Sequence, residues 1–224
     1  MQLIPKHATL DDKIQHGLIW LLRVLALGAL AYAVIGGNYE QLINGSFAIF
    51  LLFVPDIIQR RYDIKLPVEF SFLIVLFMYG SGVLGEMQGF YDRYFWWDSM
   101  LHISSGVMLG FAGFLMLYTL YHRKKLQTSP FWISFFAFCF ALALGAVWEI
   151  FEFTMDQIFN TKMQPSGVDT MWDLIFDGGA ALISVIVGYR FMKRKGKPDI
   201  FEHAIKSFLD HNPNLRGQST KLRP

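Results

Sequence analysis

The residues that could do chemistry in this 224-residue chain are carboxylates and one imidazole at helical spacing. Asp98 and His102 stand four apart; Glu149, Glu152 and Asp156 follow as i, i+3, i+7, and Asp169, Asp173 and Asp177 as i, i+4, i+8. Such spacings put each set on one helix face. The deepest members are His102, Glu149 and Asp177, enclosed by Leu101 and Ile103, by Trp148 and Ile150, and by Phe176 and Gly178-Gly179-Ala180. A charged residue in such apolar surroundings costs about 2.5–3.5 kcal/mol on membrane-insertion scales and usually faces a bundle interior or a wet cavity. Three arrangements offset that cost: a bound cation, protons shared between carboxylates, or a structural hydrogen-bonded network. In the first, His102, Glu149, Asp173 and Asp177 are ligands for a divalent ion such as Mg, Mn, Zn or Ca. Asp98 and Glu152 are then the catalytic candidates. Asp98 orients His102 or completes the coordination, and Glu152 is general base for a metal-bound water.

The elements that position these residues follow from hydropathy. With 54% hydrophobic and 17% charged residues and a mean hydropathy of +0.36, the chain falls outside the range of water-soluble domains. Apolar blocks long enough to cross a bilayer lie at about 17–36, 41–58, 67–88, 100–121, 131–152 and 171–192. The expected fold is all-α: a six-transmembrane-helix bundle in one domain, 1–192, followed by a basic cytoplasmic tail, 193–224. The second block is interrupted by Asn44, Gly45, Pro55 and Asp56, so charge decides its status. Lys6 and Lys13, then Arg60, Arg61 and Lys65, then Arg123, Lys124 and Lys125, then Lys193, Arg194, Lys195 and Lys197 flank alternate connectors, against Arg93 and Lys162 on the others. Six spans with both termini in the cytoplasm of a bacterial inner membrane satisfy the positive-inside rule. Glu86, Asp92, Asp98, Glu149, Glu152, Asp156, Asp169, Asp173 and Asp177, half of the 18 acids, then gather at the outer face.

Several features have plainer readings. Ala31-Tyr32-Ala33 resembles a processing site, but a block of about twenty residues containing Arg23 reads as a retained span rather than a signal peptide. Arg23 is expected to snorkel inward rather than form an intramembrane ion pair, Asp56 to be interfacial, and His7, His16, His122, His203 and His211 to be solvated. Trp96, Trp97 and Trp172, with Trp148, form an aromatic belt or, more sharply, the rim of a lipid or substrate site. The glycines of the third, fourth and sixth blocks mark close helix packing. After Pro198, Asp199 and Glu202 open an amphipathic helix, 199–212, with Ile200, Phe201, Ala204, Ile205, Phe208 and Leu209 on one face, either lying on the inner leaflet or part of a plain tail. The basic residues form flanking clusters, not a nucleic-acid face, and the lone Cys139 excludes an intramolecular disulfide.

The order Asp98-x-x-x-His102, Glu149-x-x-Glu152, Asp173-x-x-x-Asp177 resembles the signature of VanZ-like membrane proteins, Asp-x-x-x-His, Glu-x-x-Gln, Asp-x-x-x-Asn. The chain is more similar still to YjdF-type bacterial inner-membrane proteins, through Trp97-Asp98 to His102 and the acidic fifth and sixth spans, over residues 67–192. It departs from the VanZ pattern at Ser99 for Lys, Glu152 for Gln, Asp177 for Asn and Ala180 for Gly, and two of these changes add acid. The residues suit a metal-assisted hydrolase or transferase acting on a lipid or lipid-linked envelope substrate. A proton- or cation-coupled small transporter and a non-catalytic accessory protein are the alternatives.

Overall fold

The structure, a computed structural model, describes residues 9–194 and 200–215, and every regular element among them is helical. Five helices are long and apolar enough to cross a membrane. The chain separates into two compact units, Met1–Asp98 and Ser99–Pro224. The expected cap from Asp199 lies outside the described residues, as do Lys6, His7, Lys195 and Lys197; the side chains of Asn44, Ile200, Phe201, Glu202 and His203 are likewise outside the description.

The first unit begins with α1, Leu10–Ile35. Thr9 and Asp12 form a reciprocal capping box, Thr9 Oγ1 accepting from Asp12 N at 3.2 Å and Asp12 Oδ2 from Thr9 N at 2.8 Å. The helix therefore starts well before the apolar block. The second block is not one helix but two: α2, Tyr39–Leu52, and α3, Val54–Tyr62. Pro55 has no N–H, and its ring opposes the carbonyl four residues earlier, so the ladder breaks at Phe53. At about 1.5 Å per residue, α2 alone reaches only about 21 Å, short of a hydrocarbon core of about 30 Å. α4, Val68–Met78, runs directly into a π-helical segment, Tyr79–Met87, and the short α5, Phe90–Arg93, follows. The core of this unit is Ile19, Ala26, Ala48, Leu52, Val75 and Val83.

Two expectations for this unit are corrected. Arg23 does not snorkel: it is buried, ion-paired to Asp56, and donates from Nη2 to the Leu52 carbonyl at 3.0 Å. Pro55 explains why, since the chain turns at Phe53 and brings both a carboxylate and a carbonyl to the guanidinium. His16 is buried as well, its Nδ1 held 2.9 Å from the Asp12 carbonyl.

The second unit comprises α6, Trp97–His122, whose first two residues precede the division, with α7, Pro130–Phe159, α8, Gly167–Lys193, and α9, Ile200–His211. Pro130 suits the first turn of α7, and Asn160 ends that helix in the left-handed region at φ 53°. Ser166 caps α8 by accepting from Asp169 N at 3.2 Å. Small residues line the helix contacts: Gly106 faces the Asp177 backbone and Ala180, Gly110 faces Ala181 and Ser184, and Gly113 faces Ala137. Large apolar side chains such as Val107, Phe136, Val147, Ile150 and Ile183 point outward. That inverted arrangement suits lipid, where packing and hydrogen bonds rather than apolar burial hold helices together. The apolar face of α9 is turned inward, with Ile205, Phe208 and Leu209 buried.

Candidate functional site

Three helices of the second unit converge on His102. Spacing by four puts Asp173 and Asp177 on one face of α8, and Glu149 points inward from α7. His102 is 7% exposed, Glu149 and Asp173 4%, and Asp177 2%. Glycines make this convergence possible. A methyl group on Gly106 would strike the Asp177 carbonyl, and one on Gly145, a turn before Glu149, would lie 2.5 Å from Asp177 Oδ2.

Asp177 holds the imidazole. Its Oδ2 lies 3.1 Å from His102 Nδ1, and its Oδ1 lies 2.5 Å from the Ser105 hydroxyl. A carboxylate at Nδ1 favours the tautomer with the proton there, which turns the Nε2 lone pair toward the other side. On that side stand Glu149 Oε1 at 3.7 Å and Asp173 Oδ1 at 3.9 Å. Those separations exceed hydrogen-bond lengths. A proton or a metal ion between Nε2 and the two carboxylates is one arrangement that would join them. Asp98 is carried one turn earlier on α6 itself, and Asp98, His102 and Asp173 each offer a ligand atom within 4.8 Å of the others.

The remaining acids separate in role. Asp156 accepts from Thr161 Oγ1 at 2.6 Å, Met163 N at 2.8 Å and Gln164 N at 2.9 Å, and so ties down the connector after α7. Gln164 then donates to Glu149 Oε2 at 3.2 Å. Glu152 is half-buried, three residues beyond Glu149. Sequence reasoning missed Gln164 and Ser105. Gln164 sits in an aperiodic connector, and no spacing rule marks it.

The sequence profile of DUF2238, a family of predicted membrane proteins, matches residues 18–194. The chain belongs to the DUF2238 family. It is 26% identical over 175 residues to an uncharacterised protein of Thermotoga maritima, the alignment covering 75% of this chain and 84% of that one. No solved structure matches. The DUF2238 match spans every residue of the cluster, from Asp98 to Asp177. The three expected rim residues of this DUF2238 chain have different surroundings. Trp97 donates from Nε1 to the Gly80 carbonyl at 3.3 Å and meets the Phe90 ring edge-on at 5.0 Å, whereas Trp96 and Trp172 are exposed.

Proposed function

We propose that this DUF2238 protein crosses the bacterial inner membrane six times with both termini cytoplasmic, and that its acid–histidine cluster holds a divalent cation used on a lipid or lipid-linked envelope substrate. Two backbone bonds support the sixth crossing. Phe53 N–H reaches the Phe50 carbonyl at 3.1 Å and Ile57 N–H the Phe53 carbonyl at 3.0 Å, so α2 and α3 stay hydrogen-bonded across the break at Phe53. The two helices together hold enough residues for about 36 Å of helix. The basic connectors then alternate with the acidic ones, as the positive-inside rule requires.

The observation that carries the cation reading is the pair of distances at Nε2. Ligands about 2.1 Å from an ion stand roughly 3.0–3.4 Å apart in octahedral or tetrahedral geometry. Nε2 and its two carboxylate oxygens, at 3.7 and 3.9 Å, stand about 0.3–0.5 Å beyond the tetrahedral spacing and about 0.7–0.9 Å beyond the octahedral one, so the oxygens would draw in around an ion. Three carboxyl groups from two helices surround the one imidazole. The ligands in this reading are His102, Asp98 and Asp173, with Glu149 Oε1, 3.7 Å from His102 Nε2, as a further donor. Asp177, expected among the ligands, is read as positioning His102 through Nδ1. Asp98, expected to orient His102 or complete the coordination, completes it. A divalent cation there polarises an ester or phosphoryl oxygen and acidifies water. Glu152 is the base that receives the proton, and Trp96 and Trp172 offer exposed aromatic surface for lipid.

Metal content of protein purified without chelator tests the reading, measured by mass spectrometry on wild type, His102→Ala and Glu149→Ala. One divalent ion per chain in wild type, lost in both folded variants, is expected. A null titration of wild type with Mg, Mn, Zn and Ca would overturn it and leave a proton between Nε2 and its carboxylates.

A further inference from the structure

A second polar site lies in the first unit and involves none of the cluster residues. A cleft there is lined by His16, Trp20 and Arg23 of α1, Asp56 and Gln59 of α3, and Ser71 of α4. Arg23 and Ser71 are 5% and 3% exposed. Nη2 of Arg23 serves both Asp56 and the Leu52 carbonyl, and the guanidinium carbon stacks 4.4 Å from the Phe53 ring centroid and 5.1 Å from that of Trp20. Gln59 is occupied by backbone, donating to the Pro55 carbonyl at 3.2 Å and accepting from Leu66 N at 3.0 Å. Arg23 Nε and Ser71 Oγ have no hydrogen-bond partner among the described residues.

Two buried donors on one cleft, one of them charged, call for an acceptor oxygen. We infer that this cleft binds a phosphate group, supplied by the headgroup of an anionic phospholipid. Asp56 neutralises one edge of the guanidinium and fixes it in place, while Nε, buried and without an acceptor, is the edge left for a second oxyanion. Arginine's planar fork suits phosphate oxygens. His16 lines the same cleft, its Nδ1 donating to the Asp12 carbonyl at 2.9 Å. Lys13, one turn before His16, and Arg60, Arg61 and Lys65 are exposed at the same end of the unit and raise the local anion concentration. Trp20, 40% exposed at the mouth, is the residue type that sits at headgroup depth. Basic pockets between membrane helices characteristically take anionic headgroups.

The full chain in detergent is titrated with dihexanoyl phosphatidylglycerol, dihexanoyl phosphatidylcholine and inorganic phosphate, and binding is counted by native mass spectrometry. The variants are Ser71→Ala, which deletes one free donor, and Arg23→Lys, which keeps the charge but removes Nε–H. One phosphatidylglycerol bound at least tenfold more tightly than phosphatidylcholine, and weakened at least fivefold in Ser71→Ala with an unchanged melting temperature, is the expected result. Arg23→Lys should lose the same preference if it folds, and Ser71→Ala decides the matter if it does not. Inorganic phosphate competing at equal affinity would uphold the phosphate site but overturn the lipid as its source. Equal binding of both lipids with no effect of phosphate or of Ser71→Ala would overturn the inference and leave a structural water between the two donors.

Discussion

Replacing Gly145 by alanine perturbs the proposed cation site without touching any residue that would hold the ion. The added methyl lies 2.5 Å from Asp177 Oδ2 and 3.1 Å from its Cγ, whereas ordinary contact begins near 3.4 Å. The Asp177 carboxylate must therefore retreat by about 0.9 Å. It cannot do so and keep both of its bonds, to His102 Nδ1 at 3.1 Å and to Ser105 at 2.5 Å. Overpacking of this kind costs about 1–3 kcal/mol, and the better helix propensity of alanine returns up to about 1 kcal/mol, so the variant should fold with a net loss of roughly 0–3 kcal/mol. Metal affinity should fall far more in proportion. Removing a group that orients a ligating imidazole typically costs 10–100-fold, and calorimetric titration of the divalent ion in detergent measures it. Gly178→Ala is the control, because a methyl there meets only Leu142 at 3.6 Å. A folded Gly145→Ala protein that binds metal with wild-type affinity would refute the assignment of Asp177 as the residue that positions His102.

Three further outcomes follow from the same geometry. Asp56→Ala strands a buried guanidinium and should lower stability by about 3–5 kcal/mol, while Arg23→Met with Asp56→Leu should recover most of it; thermal melting in detergent separates the two, and equal melting would contradict a buried ion pair. Asp156→Asn removes the carboxylate that organises the connector after α7, so amide exchange of Met163 and Gln164 should accelerate at least tenfold while the middle of α7 is unchanged. In a Cys139→Ala background, Lys162→Cys in spheroplasts should react with a membrane-impermeant maleimide and Lys125→Cys should not; the reverse labelling would invert the proposed topology.

The α-helical class and the five long membrane helices were legible because a bilayer demands blocks of about twenty apolar residues, a one-dimensional property. The residues of the cluster were legible for a related reason. Spacing by four names the residues that share a helix face, and a charge within such a block must turn inward. Helical spacing does not say how faces are rotated against one another. That rotation decided that Asp177 rather than Asp98 meets His102 Nδ1, and it depends on contacts at Gly106 and Gly145, where a single methyl group is too large.

The same limit explains the first unit. Pro55 announces a break, but only the packed helices show that the break delivers Asp56 and the Leu52 carbonyl to Arg23, 29 residues away from that carbonyl in sequence. Read alone, an arginine near a span end snorkels, and a histidine beside it is solvated. Gln164, at an aperiodic position, is bound to Glu149 because Asp156 folds the connector back. What the sequence determined by itself was which residues are excluded from lipid, because that is set by the solvation energy of each side chain. Which of them meet was decided by tertiary structure, because it is set by the ångström-scale shape of the helix surfaces between them.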